Sequence, residues 1–333
     1  MLDQPIIQQH SPTSLGYLPA HFSEANSALI QALALAASQH ILRDEDSSIT
    51  PEVAHQVART LISADCDART LMIFFLSLLD ATERQTFAPL VQDPELLEAA
   101  HSVSIIRLLS AKDHPKHLPI RKVLLRQLVL KATHDVRVIL IKIAGRLVTL
   151  RHAGEHHWDL ELRQRLAHEA LDVVVPWCDA LGLDSWRQEL QELSFRYLNP
   201  AGYAYVLSLV RDQRDHLHAV RDQVIQELSQ LLARHGIQAQ VSGRVKTHFA
   251  IYRKMTAYEL SFDEVWDRLG IRILTKTVFD CYYAQMAIEE ELYPERHRFV
   301  DYIENRAPLS LPIAASDGQR PARHPGGNPD SHL

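Results

Sequence analysis

Cysteine is scarce in this 333-residue chain: Cys66, Cys178 and Cys281 stand far apart, with no CxxC pair among them. That excludes a disulfide scaffold and a cysteine-based zinc site, and it suits a reducing compartment. No apolar run is long enough for a bilayer; the longest, Leu71 to Leu79, is about half of what a membrane helix needs. The N-terminal stretch MLDQPIIQQH lacks the charged start and apolar centre of a secretory leader. Positive charge is not in excess either. The formal net charge is -6, so nothing draws the whole chain toward nucleic acid, and any polyanion site must be local. No internal repeat is visible. What remains is a cytoplasmic globular protein, 46% hydrophobic and 23% charged, long enough for two domains with a core in each.

From Ser23 to Arg234 the pattern is helical almost throughout. Ser23 can cap a helix over EANSALIQALALAASQHIL, while Thr50-Pro51 and Asp93-Pro94 each pair a capping residue with proline at the first helical position. Thr133 can cap HDVRVILIKIAGRLVTLR, with Val136, Ile139, Leu140, Ile143 and Leu147 on one face. Helices over Trp158–Leu181, Ser185–Tyr197 and Ala201–Arg234 follow, the last reading as one long connecting helix. Gly236 then sits where a C-terminal glycine belongs. Beyond it IQAQVSG alternates as a strand, Thr247–Lys254 is helical, Asp267–Thr275 is a second strand and Val278–Leu292 a helix. The fold class is therefore mainly α, with a mixed α/β region at the end. The divisions are a flexible 1–22, a helical domain 23–199, a connecting helix 200–236, an incomplete α/β domain 237–306 and a disordered Pro/Gly/Ala-rich 307–333.

Histidine is abundant, with 19 in the chain. His114 with His117, and His152 with His156 and His157, have spacings that could hold a metal, with Glu155 or Asp159 as extra ligands. They fall in polar loops without cysteine, which reads as solvated surface. His134-Asp135 matches the pair that ligates metal in phosphohydrolases, but an acid in the first turn of a helix already complements the helix dipole. The segment GRVKTHFAIYRKM differs. It gathers Arg244, Lys246, Arg253 and Lys254 around a strand-to-helix turn, where cations and backbone donors together suit phosphate. A basic helix face over acidic neighbours is the alternative. Asp267 follows at a strand start, where a turn residue is the plain reading.

Several long motifs in order resemble the RelA/SpoT homologues of (p)ppGpp metabolism. They are ALGLDSWRQELQELSFRYLNPAGY (Ala180–Tyr203), GRVKTHFAIYRKM, LSFDEVWDRLGIRI and RFVDYI (Arg298–Ile303), with a fainter likeness through DVRVILIKIAGRLVTLR. The resemblance implies an HD-like helical domain followed by a nucleotidyltransferase-like synthetase domain. It implies that Arg244 and Arg272 stack on the ATP adenine, that Lys246 and Lys254 hold its phosphates, and that Arg298 is a further phosphate contact. Asp267 would be catalytic and bind Mg²⁺ while the GTP 3′-hydroxyl attacks the β-phosphorus. Ala250 stands where the family usually has Ser, and Val300 where many members have Lys.

The hydrolase half departs further. Its HDxxEDT stretch corresponds to LSLLDAT, with Leu76-Ser77 for His-Asp, Asp80-Ala81 for Glu-Asp and Thr82 retained. The later metal Asp is Gly145, and the Asn four residues on is Thr149. Leu, Ser and Gly cannot assemble a Mn²⁺ site, so hydrolysis is not expected. In the family, DYI is soon followed by PNGYQSLH-like and EIQIRT stretches that supply the GTP-stacking Tyr and a second carboxylate. Neither occurs here. Synonymous codons for Leu311–His332 read one base later nevertheless permit YQSLHPMVSGPRGTRVEIQIRT, which contains both. The tail therefore reads as out of frame, with a shift between Ile303 and Leu311. Sequencing the gene is the test: nucleotides that lack the shifted frame refute it. Activity is accordingly expected to be impaired. The other readings are a nucleotide-binding or dimerising module, paired with itself or with an intact homologue, and a purely helical interaction protein.

Overall fold

The computed structural model describes residues 16–43, 49–111, 135–154, 159–265, 267–292 and 303. Three predicted helix starts are realised. Ser23 Oγ accepts from the Asn26 N–H at 3.2 Å at the head of α1 (Glu24–Arg43), and Thr50 Oγ1 accepts from Val53 N–H at 3.3 Å at the head of α2 (Pro51–Ser63). Asp93 Oδ1 accepts from Glu95 N–H at 3.0 Å at the head of α5 (Pro94–Ala111). Between them lie α3 (Ala68–Leu78), capped by Asp67, and α4 (Ala81–Val91), capped by Asp80 in a reciprocal box with Glu83.

The run that was too short for a membrane is α3. It is apolar all round because it is covered all round, by α1, α5 and α6 (Val136–His152), with Leu71, Ile73, Phe75 and Leu76 essentially inaccessible. Each such side chain contributes about 1.5–3 kcal/mol through burial. In α6 the expected face is rotated. Val136 is exposed, whereas Val138, Ile141, Ile143, Ala144, Leu147 and Leu150 are buried, because α6 packs against α2, α5 and α3 together and needs an arc wider than one stripe. Its cap is Asp135, which accepts from Arg137 N–H at 2.9 Å; Thr133 and His134 lie outside the described residues.

The stretch predicted as one helix to Leu181 begins at Asp159, which caps α7 (Leu160–Glu169). It passes through a π-turn at Ala170–Val174 into α8 (Val175–Ala180). Pro176 has no N–H to give, and the wider turn just before it absorbs that loss. Next come α9 (Asp184–Leu198) and α10 (Pro200–Asp212), the latter capped by Asn199. The long connecting helix is in fact two helices, because α11 (Arg214–Arg234) starts after a break at Gln213. Tertiary contacts meet at the break: the Gln213 amide donates to Asp263 Oδ1 at 3.3 Å and accepts from Arg268 Nη1 at 2.8 Å.

Strand β1 (Ala239–Val245) pairs antiparallel with β2 (Leu269–Thr275), Arg244 opposite Gly270 and Ser242 opposite Arg272. Helices α12 (His248–Tyr258) and α13 (Val278–Leu292) complete the described part. Leu231, Leu232 and Ile237 pack with Ala284 and Ala287 under the sheet. Gly243 allows that packing, since a Cβ there would stand 2.8 Å from Ile271 Cδ1 and 3.0 Å from Arg221 Cγ.

All three cysteines are reduced. Burial, with Asp67 and Asp65 nearby, pushes the Cys66 thiol up to about 12; burial, with Asp179 nearby, does the same to Cys178. Cys281 is partly exposed, its Sγ 3.0 Å from Thr275 Oγ1. A thiol reagent at about pH 8 should label Cys281 alone in the native protein and all three thiols after denaturation. Native labelling of Cys66 or Cys178 would contradict the packing.

Candidate functional site

Alternation along β1 and β2 turns Gln240, Ser242, Arg244, Arg272 and Leu274 to one exposed face, opposite the buried layer. Arg244 and Arg272 are diagonal neighbours on that face, about 7–8 Å apart by sheet geometry. Only the small Gly270 and Ser242 stand across from them. The ladder extends one residue past β1, where Lys246 N–H donates to Arg268 C=O at 2.8 Å. Lys246 therefore follows Arg244 on the same side of the chain, two residues or about 7 Å along.

Lys246 Nζ lies 2.6 Å from Asp267 Oδ2, and Lys254 Nζ, from the second turn of α12, bonds the same oxygen. The three charges converge at the end of the sheet, each about a third exposed. Partial burial opposes ionisation of Asp267, but hydrogen bonds and charge from Lys246 and Lys254 outweigh it and hold the carboxyl below its ordinary range. Asp267 precedes β2 by two residues and does not itself enter the strand. Arg253 is exposed, one residue and about 100° round the helix from Lys254, and does not join the cluster. Arg298 and Val300 lie outside the described residues.

One sequence expectation is corrected. The N-terminus of α12 is not open to a phosphate: Thr247 Oγ1 accepts from Ala250 N–H at 3.2 Å, and Glu192 Oε2 of α9 accepts from Phe249 N–H at 3.0 Å. The other Glu192 oxygen bonds His248 Nδ1. A protein carboxylate already occupies the positive end of the helix, so anion binding here rests on side-chain cations. Nothing in the sequence singles out Glu192, one of two acids in RQELQEL. Phe195 packs at a tilt against Tyr252 and contacts Phe249 and Tyr203, which fixes α12 on α9 and α10.

In the N-terminal domain, a cavity of about 340 Å³ lies between α2, α3, α5, α6 and α7. Ser77, Gly145 and Thr149 line it. Leu76 is buried in the core beside it, while Asp80 and Ala81 are exposed at the head of α4. Ser77 Oγ donates to Phe74 C=O at 2.6 Å and Thr149 Oγ1 to Gly145 C=O at 2.8 Å, so both hydroxyls serve their own helices. The charged lining residues are Arg107, Lys142, Arg146 and Arg165, with no carboxylate among the described ones. That set repels a divalent cation, and hard cations need oxygen donors.

Among the described residues, His40, Asp80 and Glu83 form one group with metal-ligand spacing, their atoms within 4.8 Å of one another. Glu83 is committed to the capping box and to Arg43. Of the other histidine candidates, His152 lines the cavity and Asp159 caps α7; His114, His117, Glu155, His156 and His157 lie outside the described residues. No described helix is long and apolar enough to cross a membrane.

A helical domain of HD type leading into a small α/β unit with this charged sheet end defines the class. Residues 32–183 match the family described as "HD domain", and residues 243–310 match "Region found in RelA / SpoT proteins". The chain is 30% identical to the GTP pyrophosphokinase rsh of Brucella melitensis over 84% of its own length and 37% of the relative's. It is 32% identical to the guanosine-3′,5′-bis(diphosphate) 3′-pyrophosphohydrolase of Spiroplasma citri over 62% of its length and 28% of the relative's. It is 30% identical to the GTP pyrophosphokinase of Myxococcus xanthus over 54% and 23% respectively. The chain belongs to the RelA/SpoT family. It spans little more than a third of the curated relatives it matches over the greatest length.

Proposed function

We propose that residues 237–306 bind ATP, as the ATP half of a GTP pyrophosphokinase acting in cytoplasmic (p)ppGpp metabolism, and that pyrophosphoryl transfer by this chain is strongly impaired. The observation that carries the reading is the convergence of Lys246 and Lys254 on Asp267, beside the open face of Arg244 and Arg272. The adenine would lie between the two guanidiniums, which stack on planar π-systems. The triphosphate would then run along β1 to the two lysines, with Arg298 as an additional contact.

Asp267 fits one ligand position of Mg²⁺, which takes one or two carboxylates together with substrate phosphates. When bound, the ion would neutralise developing charge on the phosphate oxygens. The lysines hold Asp267 ionised and would exchange it for phosphate oxygens on binding, so the ligand-free cluster is neutralised internally. Impairment follows from the out-of-frame reading of residues 307–333, which removes the GTP-stacking Tyr and the second carboxylate. In the N-terminal domain, the cation-lined cavity supports the absence of Mn²⁺-dependent hydrolysis.

The test pairs ATP titration calorimetry in Mg²⁺ with a (p)ppGpp synthesis assay. Saturable ATP binding with little product is the expected outcome. Ample product would overturn the impairment, and no ATP binding would leave only a helical interaction protein. A second reading, a module that pairs with itself or with an intact homologue, is favoured by Phe279, Tyr283 and Met286, spaced i, i+4, i+7 on α13 and 75%, 40% and 64% exposed. Light scattering across a concentration series would detect such pairing.

A further inference from the structure

We propose that the cavity of the N-terminal domain is a binding site for a small amphipathic monoanion, an apolar chain or ring carrying one carboxylate-like head. The inference rests on the cavity alone and stands whether or not the ATP reading holds. Its walls are chiefly aliphatic and aromatic, including Val57, Phe74, Val103, Ile141, Val148 and Leu166. Such walls favour an apolar body and leave polar groups unsatisfied.

The described charged residues that line it are all cations, two of which share the carboxylate of Glu169. Arg107, Lys142, Arg146 and Arg165 line it, and no described carboxylate does. Arg146 is the anchor. Only 5% of it is exposed, and its Nε is buried without a hydrogen-bond partner. Its Nη2 approaches Glu169 Oε1 at 2.5 Å, but the contact is off the hydrogen-bond direction, and Lys142 shares that carboxylate at 3.6 Å. A buried guanidinium with an idle Nε–H has a donor left for an anionic head beside Glu169.

The volume of about 340 Å³ is at the small end of ligand pockets. A ligand bearing several phosphates would force most of its charge against aliphatic walls. One anionic head with an apolar body satisfies both halves of the site.

Gly145 supplies an independent handle. It lines the cavity, and a Cβ built on it meets nothing within 4 Å. The first side-chain carbon therefore enters without a clash, a leucine extends from it into the cavity, and replacing a mid-helix glycine favours the helix.

The experiment uses the full chain in equilibrium dialysis, with octanoate as probe and octanol and GDP as comparisons. Octanoate should bind saturably at one site per chain. Arg146→Met should weaken it about 10-fold or more, the scale of one lost charge-assisted contact. Gly145→Leu should abolish binding while raising the thermal midpoint, which keeps the test valid if Arg146→Met folds poorly. Arg146→Lys should bind at an intermediate level. No octanoate binding, equal binding of octanol, binding that survives Gly145→Leu, or binding of GDP alone would each overturn the proposal.

Discussion

Replacing Lys254 with alanine is expected to weaken ATP binding about 10- to 100-fold, because one hydrogen bond to a charged group contributes about 1.5–3 kcal/mol. Lys246→Ala should act similarly, and the double variant should lose less than the sum, since both ammonium groups meet at one oxygen of Asp267. Asp267→Asn should split by condition. Without Mg²⁺ it removes a competitor for the lysines and a repulsive charge, so ATP should bind more tightly than to the parent. With Mg²⁺ the gain from the ion should disappear. Calorimetric titration with and without Mg²⁺ reads all of these, and an unchanged affinity in Lys254→Ala would refute the assigned phosphate site. The sign of the pH dependence follows from the depressed Asp267 pKa. Its ion pairs contribute stability that is present above the ordinary carboxylate range, about pH 4, and is lost as pH falls through the lower folded value. ATP affinity should therefore show no carboxylate midpoint between about pH 5 and 8.

Restoring the alternative frame after Ile303 should raise (p)ppGpp synthesis by about three orders of magnitude. The groups it would return, a base-stacking tyrosine and a second carboxylate, position the acceptor and hold the metal, and such losses cost several kcal/mol of transition-state stabilisation each. The assay compares initial rates of product formation from ATP and GTP at saturating Mg²⁺ for the two chains. Equal rates would show that the tail as translated does not limit transfer. The comparison should include Asp267→Asn in the restored chain. If product persists there at the restored rate, neither the metal role of Asp267 nor the synthetase reading can stand.

Local chemistry made the helices legible in the sequence. Ser23, Thr50 and Asp93 cap as their spacing dictates, and Gly236 ends α11 with a left-handed φ of 71°. Alternation marked the two strands but not their register: Arg244, read as part of the turn, lies within β1 opposite Gly270 and so shares a face with Arg272. Features set by distant partners were not legible. The helix breaks at Gln213, whose side chain is held by Asp263 and Arg268, some fifty residues away. Glu192 closes the helix terminus that the phosphate reading had used, and no local pattern distinguishes it from Glu189. The cavity is similar. The substitutions at Ser77, Gly145 and Thr149 could be read singly, but two of the four cations surrounding them, Arg107 and Arg165, come from further stretches of chain.

Helix α9 has a consequence for how this protein can change over time. Trp186, Leu190 and Tyr197 belong to the N-terminal core, and Tyr197 Oη donates to Leu150 C=O at 3.1 Å. Glu189 pairs with Arg151 of α6 at 2.6 Å. The same helix offers Phe195 and Glu192 to α12, the carrier of Lys254. The N-terminal domain is thus a buttress for the charged end of the sheet, and that role alone would retain it. Deletion of the domain would unseat the lysine that faces Asp267, whatever its pocket holds.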